Sequence, residues 1–162
     1  MSDLLHVCFI CSGNICRSPF AEGLLRHLAA EQGLTHRLRV TSAGTLGIVD
    51  QAAHSRMRLE ALACGFDLES HLSQGLGESH LATCDYIFGL AQRHVTAVRE
   101  LFPNLAERTY LLGAFPTHDP AETQIVEAEI PDPIGKEEED FQACFEQIQS
   151  VLRPLLSALL PP

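Results

Sequence analysis

The sequence predicts an α/β protein, a three-layer sandwich in which helices flank a four-stranded parallel sheet on both faces. Strand-length apolar segments alternate along the chain with segments whose apolar residues recur at helical spacing. The first apolar segment, residues 4–10, is broken only by His6, as is typical of a central strand buried on both faces. The 162 residues fit one domain, 1–162, that can bury a single continuous core.

The first helix should follow the first strand after a short loop. A hydroxyl near the cap and a proline in the first turn both favour a helix N-terminus, and Ser18 and Pro19 supply them. Gly33 predicts the end of this helix. A second strand is predicted over residues 38–42, ending in a turn at residues 43–44.

The middle of the chain continues the alternation of strand and helix. The predicted segments are a loop at 45–51, a helix at about 52–64 closed by Gly65, a brief helix near 77–83 and a strand at 85–90. A further helix, lined by Val95, Val98, Leu101 and Phe102, should end before Pro103, and the fourth strand is predicted at 108–112. Because ligands of parallel sheets bind beyond the carboxyl ends of the strands, loops 11–18, 43–51 and 113–136 are expected to converge there.

The segment 113–136 has four prolines, two glycines and no clear periodicity, and a loop that long in a compact domain is usually functional. A long amphipathic helix follows from Glu137, and Pro154 should kink or break it near residue 150. The leucines at 155, 156, 159 and 160 either pack on the domain or form an association surface. The oligomeric state is therefore open, with a monomer favoured.

The charge balance limits the class of partner. The chain has 11 Lys and Arg against 21 Asp and Glu, so its formal charge of −10 predicts no nucleic-acid partner and no anionic membrane surface. No basic stretch precedes the first apolar run, and no segment approaches the ~20 apolar residues that span a bilayer. The six cysteines are scattered, so a reduced, cytoplasmic setting is expected.

The segment Cys-Ser-Gly-Asn-Ile-Cys-Arg-Ser, residues 11–18, links the first strand to the first helix. A strand, a tight loop and a helix N-terminus form an anion site, because free backbone N–H groups converge there and the helix dipole favours negative charge. Cys11 places a nucleophile at this site, and such surroundings favour its reactive thiolate. Arg17 can donate two hydrogen bonds to phosphate oxygens, and Ser18 can donate one to the sulfur. The segment predicts a phosphatase that uses a cysteine.

Two further residues suit a tight loop. Gly13 lets the chain turn without a Cβ clash, and Asn14 tolerates a left-handed backbone while its side chain ties the loop to its surroundings. The predicted phosphate-binding residues are those that follow the nucleophile: Ser12, Gly13, Asn14, Ile15, Cys16, Arg17 and Ser18.

Residues 7–23, Val-Cys-Phe-Ile-Cys-Ser-Gly-Asn-Ile-Cys-Arg-Ser-Pro-Phe-Ala-Glu-Gly, resemble the opening signature of the low-molecular-weight protein tyrosine phosphatases. The resemblance extends to residues 41–45, to His71, and to Asp132-Pro133 followed by Gly135 and an acidic helix start. In order and spacing it covers nearly the whole chain. It implies a four-stranded parallel sheet between helices, catalysis without metal or cofactor, and a phosphorylated protein or peptide as substrate.

The resemblance also implies catalytic roles. Cys11 would be the nucleophile that forms a thiophosphate intermediate, and Arg17 would hold the phosphate. Asp132 would protonate the leaving group and then activate water. Asp119, in the other Asp-Pro dipeptide, competes for this role, although either dipeptide can simply form a turn. Asp132 is preferred because it lies just before the last helix, where the family pattern places the acid.

A supporting network is implied in the same way. Ser18 would stabilise the thiolate and aid its departure, and Asn14, Ser42 and His71 would hold the loop in its strained shape. The plainer interpretations are that Ser42 ends a strand and that His71 is a surface histidine. The remaining histidines show no metal-ligand spacing and are predicted to lie on the surface.

The predicted walls of the substrate pocket are aliphatic: Ile15, Leu46, Ile48 and Ile134. The family resembled usually has aromatic residues after the Asp-Pro and in the loop after Gly44. An aliphatic slot still buries a phenyl ring but loses a ring–ring contribution of ~0.5–1.5 kcal/mol per pair.

Phosphotyrosine is therefore the predicted substrate, with phosphoarginine in proteins as the alternative. A branch of the family that acts on phosphoarginine carries Thr where this chain has Ile15. An arsenate reductase would need two further cysteines after the third strand, and residues 90–102 have none. A non-catalytic phosphate-binding module is disfavoured because Cys11, Arg17 and Asp132 occur together.

Two other cysteines lie close to the nucleophile in sequence. Cys8 and Cys11 form a Cys-x-x-Cys pair, but strand alternation points Cys8 away from Cys11, so Cys8 is predicted to be a small buried residue. Cys16 is either a core residue or a redox partner that forms a reversible disulfide with an oxidised Cys11. No metal site is predicted.

Overall fold

The computed structural model describes residues 4–162 and contains one parallel sheet of four strands in the order β2-β1-β3-β4. The strands are β1 (Leu5–Cys11), β2 (Leu38–Gly44), β3 (Tyr86–Gly89) and β4 (Thr109–Leu111). The helices are α1 (Arg17–Glu31), α2 (Ser55–Cys64), α3 (Glu78–Leu81), α4 (Gln92–Leu101), α5 (Glu122–Ala128) and α6 (Glu138–Leu159). The predicted α/β fold with a parallel four-stranded sheet is confirmed.

The central strand β1 separates two apolar cores, because its side chains alternate between the faces of the sheet. Val7 and Phe9 join the larger core, which α1, α2 and α6 cover. Cys8 and Ile10 join the smaller core, to which α3 and α4 contribute. Cys11 belongs to the larger core, so Cys8 does point away from it as predicted.

The end of β2 lies directly under the loop that follows β1. Gly44 pairs with Cys11, and a Cβ at Gly44 would lie only 2.7 Å from the Ser12 carbonyl oxygen and 2.9 Å from the Asn14 nitrogen. The predicted turn at residues 43–44 is wrong, because pairing with β1 continues the strand through Gly44. A glycine at this position allows the two backbones to approach closely.

Helix α1 begins one residue earlier than its sequence signals indicate. It starts at Arg17, and no side chain caps its N-terminus; the Ser18 hydroxyl instead reaches the Cys11 sulfur. The first-turn N–H groups are therefore not satisfied by a capping side chain and remain available to an anion.

Two predictions for the C-terminal half are wrong. The segment 113–136 contains the short helix α5, which buries none of its residues and so has no apolar face to reveal it in the sequence. Helix α6 runs through Pro154 without a break, since Leu152, Leu155 and Leu156 are buried on either side of the proline. The C-terminal leucines thus pack on the domain. Within residues 4–162, no helix combines the length and the apolar character needed to cross a membrane.

Candidate active site

The loop between β1 and α1 is held in shape by the left-handed residue Asn14. Its φ is +58°, and it is completely buried. A non-glycine residue in this conformation costs about 1–2 kcal/mol, so it must be held by its contacts. All of the hydrogen-bonding groups of the Asn14 side chain and its carbonyl oxygen are used, as the following contacts show.

The Asn14 amide directs the Ser18 hydroxyl to Cys11, the predicted nucleophile. Asn14 Nδ2 donates to Ser18 Oγ over 2.8 Å, and Ser18 Oγ lies 2.9 Å from Cys11 Sγ. Because Ser18 already accepts from the amide, its one hydrogen is left to donate to the sulfur. A sulfur that receives such a hydrogen bond is stabilised as the thiolate.

The same amide group also extends the network to an acid that the sequence analysis did not identify. Asn14 Nδ2 donates to Ser42 Oγ over 2.9 Å, and Ser42 donates in turn to Glu22 Oε1 over 2.6 Å. The carboxylate of Glu22 is paired with Arg26 over 2.6 Å. One sequence signal could have identified Glu22, since it lies four residues after Ser18 and thus on the same face of α1.

The segment before α3 completes the support of the loop. His71 Nε2 donates to the Asn14 carbonyl oxygen over 2.7 Å, as its predicted supporting position requires. Gln74, which was not predicted, donates its backbone N–H to Asn14 Oδ1 over 2.9 Å and its amide to the Ser42 carbonyl oxygen over 2.9 Å. The four predicted network residues, Asn14, Ser18, Ser42 and His71, are brought together.

A groove of about 890 Å³ lies behind this network and is lined in part by Glu22, Ser42, His71 and Gln74. It does not include Cys11 or Arg17. Although it is larger than the cleft beside Asp132, it contains neither the predicted nucleophile nor the predicted phosphate-binding arginine, so the candidate site is the loop itself.

Arg17 is buried beside the loop with part of its hydrogen-bonding capacity unused. Its side chain is 1% exposed, and Nη1 donates to the Ile130 carbonyl oxygen over 2.9 Å. Its buried Nε has no hydrogen-bond partner among the described residues. A buried donor without a partner costs about 1–3 kcal/mol, and more when it is charged. An oxyanion bound in the loop would satisfy this donor.

The segment after α5 brings Asp132 to the arginine. Asp132 Oδ2 lies 3.8 Å from Arg17 Nη2, and the Asp132 side chain is 37% exposed. Its other oxygen accepts from the backbone N–H of Ile134 over 3.0 Å, which fixes the carboxylate in an Asx turn. Asp119 instead pairs with Arg99 over 3.3 Å and with His118 over 3.4 Å, and its side chain is 83% exposed. Of the two Asp-Pro dipeptides, only that of Asp132 lies against Arg17.

The cleft beside Asp132 has a volume of about 400 Å³, and Ile134 lies in its lining. Ile15 and Ile48 lie close together beside the loop, since both are within 4 Å of the position that a Cβ on Gly13 would take. Leu46 is 66% exposed, and its N–H donates to the Ser12 carbonyl oxygen over 3.0 Å. The four predicted wall residues therefore border the loop and the cleft.

Two buried thiols lie near Cys11. Burial, followed by the nearby Asp132 and Cys11, raises the pKa of the Cys16 thiol. Burial likewise raises the pKa of Cys144 to about 12. Both thiols therefore stay protonated at neutral pH. The reversible Cys11–Cys16 disulfide remains a prediction.

His94 is completely buried, which corrects the sequence-based prediction that it lies on the surface. Its Nδ1 accepts from the Ala91 N–H over 3.0 Å, so its Nε2 carries the hydrogen that it donates to Ser12 Oγ over 3.0 Å. Burial, with Arg17 and Arg93 nearby, lowers the pKa of His94 to about 3. A neutral histidine thus positions the residue next to Cys11. His6 is also buried, which corrects the surface prediction for a second histidine.

The fold and the site together define a class: an α/β protein with a parallel sheet that brings a cysteine, a buried arginine and an aspartate near one another around the loop after its first strand. Comparison with known proteins refines this class. The family model described as low molecular weight phosphotyrosine protein phosphatase matches residues 6–160. The chain belongs to this family.

Two bacterial relatives show the extent of the similarity. The chain is 37% identical to low molecular weight protein-tyrosine phosphatase A of Mycobacterium tuberculosis, over 94% of this chain and 90% of the relative. It is 32% identical to the low molecular weight protein-tyrosine-phosphatase of Streptomyces coelicolor, over 95% of this chain and 93% of the relative.

Solved structures share the fold. A protein tyrosine phosphatase from Entamoeba histolytica superimposes with a TM-score of 0.80 at 26% identity, covering 96% of each chain. A mutant of YwlE from Bacillus subtilis superimposes with a TM-score of 0.83 at 22% identity, covering 96% of this chain and 98% of that chain.

Proposed function

We propose that the protein is a cysteine-dependent, metal-independent protein tyrosine phosphatase that acts through a thiophosphate on Cys11. The observation that carries this proposal is the hydrogen bond of the Ser18 hydroxyl to the Cys11 sulfur beside a buried arginine, Arg17, whose Nε has no partner within residues 4–162. A phosphate dianion in the loop would meet backbone N–H groups, the N-terminus of α1 and the Arg17 guanidinium together.

In the first step, the Cys11 thiolate attacks phosphorus, and a sulfur–phosphorus bond forms as the bond to the leaving oxygen breaks. Asp132, in its protonated form, gives its proton to that oxygen, so that tyrosine leaves as the neutral phenol. Arg17 and the loop N–H groups follow the charge on the three remaining phosphate oxygens into the transition state.

In the second step, the Asp132 carboxylate takes a proton from water as the water oxygen attacks phosphorus. The sulfur–phosphorus bond breaks, inorganic phosphate leaves and the thiolate is restored, with the Ser18 hydroxyl stabilising it as it departs. The sum is one phosphomonoester and one water converted to one alcohol and one phosphate.

The phosphorylated residue is proposed to be tyrosine in a protein or peptide, held between Ile134 on one side and Ile15 and Ile48 on the other. The relatives named above as protein-tyrosine phosphatases support this substrate. We place the enzyme in the cytoplasm, since all six cysteines are unpaired and Cys11 must stay reduced to act.

The deciding experiment compares kcat/KM on one peptide sequence that carries phosphotyrosine, phosphoarginine or phosphoserine. We expect the phosphotyrosine peptide to be preferred and the phosphoserine peptide to be the poorest, because a short side chain cannot carry its phosphate to the base of the cleft. A preference for phosphoarginine would assign the alternative substrate class to the same chemistry. Activity on none of the three peptides would contradict the proposed function.

A further inference from the structure

A second cluster of chemically active side chains lies on the sheet face opposite Cys11. It consists of His6 in β1, His80 in α3 and Cys84 just before β3. Each residue offers one ligand-type atom, and these three atoms lie within 4.8 Å of one another. No other group of three or more His, Cys, Asp or Glu side chains within residues 4–162 meets this criterion. His6 lies five residues before Cys11 along β1, a separation of about 16 Å, so the cluster takes no part in the proposed hydrolysis.

Hydrogen bonds determine which nitrogen of His6 carries its proton. Thr83 Oγ1 donates its hydrogen to the His80 carbonyl oxygen over 2.7 Å, so it can only accept from His6 Nδ1, 3.1 Å away. The lone pair of His6 is therefore on Nε2, which lies 3.7 Å from Cys84 Sγ. In a tetrahedral zinc site with ordinary bond lengths, a nitrogen and a sulfur ligand are roughly 3.6 Å apart.

The Thr41 hydroxyl lies between the two imidazole rings. Its oxygen is 2.8 Å from Nε2 of His6 and 2.8 Å from Nε2 of His80. It donates its one hydrogen to the lone pair of His6, so His80 Nε2 must donate to it. His80 Nδ1 then carries a lone pair, and this buried atom has no hydrogen-bond partner among the residues described. The network thus leaves one ring nitrogen of His80 open to a ligand.

Charged groups from three elements surround the cluster. Arg39 on β2 disfavours a cation there. Asp85, whose carboxylate accepts from the backbone N–H of His6 over 2.8 Å, and Glu22 on α1 favour one. Burial and Arg39 lower the pKa of both histidines.

We propose that His6, His80 and Cys84 bind one divalent transition-metal ion, for which zinc is the best match. Imidazole nitrogen and thiolate sulfur are the ligands that zinc takes in proteins, and three protein ligands leave a fourth position beside the Thr41 hydroxyl. On binding, the Thr41 hydroxyl gives up its hydrogen bond to His6 Nε2, and the lone pair of that nitrogen bonds to the ion. The Cys84 thiol loses its proton to solvent as its sulfur bonds to the ion. Thr83 supports the site by holding the His6 ring in the binding tautomer. The ion connects β1, α3 and the start of β3 and so stabilises the fold.

Zinc binding can be measured in the Cys11→Ser protein, which removes the competing thiol of the active site. We expect one equivalent of Zn²⁺ to bind when the apoprotein is titrated against a chromophoric chelator. Adding Thr83→Val should weaken binding by roughly 10- to 100-fold, the usual effect of losing a partner that orients a ligand. Adding His80→Ala or Cys84→Ser should weaken it further. Adding Cys64→Ser, which changes a cysteine outside the cluster, should leave it unchanged.

Two further measurements distinguish metal binding from a loss of stability that the substitutions themselves cause. One equivalent of Zn²⁺ should raise the Tm of the Cys11→Ser protein but not that of its Cys84→Ser derivative. Co²⁺ in place of Zn²⁺ should show a thiolate-to-metal charge-transfer absorption that Cys84→Ser abolishes. If the affinity were the same with and without Cys84 and His80, the proposal would be wrong. Thr83 is exposed, so its variant gives an answer even if the buried variants fail to fold.

The metal proposal is independent of the proposed phosphatase activity. Removing metal from the wild-type protein with EDTA should lower its Tm while leaving hydrolysis of p-nitrophenyl phosphate at a temperature well below Tm unchanged. Unchanged activity with an unchanged Tm would reject the metal site alone. Lost activity would contradict metal-independent hydrolysis.

Discussion

The side-chain amide of Asn14 donates to the Ser18 hydroxyl over 2.8 Å, and this one contact determines where the Ser18 hydrogen points. Since the hydroxyl oxygen is occupied by the amide, its hydrogen is directed to Cys11 Sγ, 2.9 Å away. The reactivity proposed for Cys11 therefore depends on a residue that makes no hydrogen bond to its sulfur. The left-handed backbone of Asn14 brings its amide into this position.

Replacing Asn14 should separate the effect of its side-chain amide on activity from the effect of its left-handed backbone on stability. Both Asn14→Gly and Asn14→Ala remove the amide, so both should lower kcat/KM, measured on p-nitrophenyl phosphate. Only Asn14→Ala keeps a Cβ at positive φ without the amide contacts, so it should be about 1–2 kcal/mol less stable than Asn14→Gly in urea unfolding. Asp50 has the same φ of +58° outside the loop. An Asp50→Ala protein should therefore keep its activity. Wild-type activity in the Asn14→Ala protein would contradict the role of the amide.

Cys11→Ser should reduce turnover to background, because a hydroxyl at this position is a far weaker nucleophile than a thiolate. Binding of inorganic phosphate, measured by calorimetry, should persist because the loop N–H groups and Arg17 remain. Cys64→Ser is the matched control and should keep wild-type activity. Full activity in the Cys11→Ser protein would exclude a thiophosphate on this residue.

Asp132→Asn should lower kcat by roughly 10²–10⁴-fold on substrates with poor leaving groups, because the general acid is lost. The loss should be smaller on p-nitrophenyl phosphate, whose leaving group needs little protonation. Asp119→Asn tests the other Asp-Pro dipeptide and should retain activity on both substrates, since Asp119 pairs with Arg99 instead of Arg17. The opposite ranking of the two variants would assign the acid to Asp119.

His94 should make stability depend on pH. The unfolded chain protonates this histidine near its ordinary pKa of 6.5, whereas the folded protein does so only near a pKa of about 3. Between these values the unfolded state binds more protons, so the free energy of unfolding should fall as the pH falls, by up to about 1.4 kcal/mol per pH unit from this residue. Urea unfolding from pH 7 to pH 4 should show a shallower loss in His94→Gln.

His36 is exposed and serves as the control for this measurement. His36→Gln should follow the wild-type profile, which also includes the buried His6 and the half-buried His80 with lowered pKa values. Parallel profiles for wild type and His94→Gln would mean that the neutral His94 does not contribute to acid sensitivity.

The elements that the sequence predicted well are those with local signals. The strand before Cys11, the loop and the start of α1 lie within about twenty consecutive residues, so their apolar pattern and turn residues suffice to place them. Helix α5 lacked such a signal because none of its residues is buried. The passage of α6 through Pro154 depends on the packing of distant elements, which outweighs a local preference to break.

The unpredicted parts of the site come from contacts between residues far apart in sequence. His94 reaches Ser12 across 82 positions, and Gln74 reaches Asn14 across 60. A histidine and a glutamine carry no signal of such pairing, since the same residues are common on surfaces. The cluster at His6, His80 and Cys84 was not predicted for the same reason, because its ligand spacing exists only once β1 and β3 lie side by side.

The backbone of Ile130 makes two hydrogen bonds that hold the segment before Asp132 in place. Its N–H donates to the Leu90 carbonyl oxygen over 3.0 Å, while its own carbonyl oxygen accepts from Arg17 over 2.9 Å. The backbone two residues before Asp132 is thus attached both to the end of β3 and to the buried arginine before any substrate arrives. An enzyme whose competent state is already the populated one pays no conformational penalty in apparent affinity. Substrate binding should therefore not have to order this segment before the reaction begins.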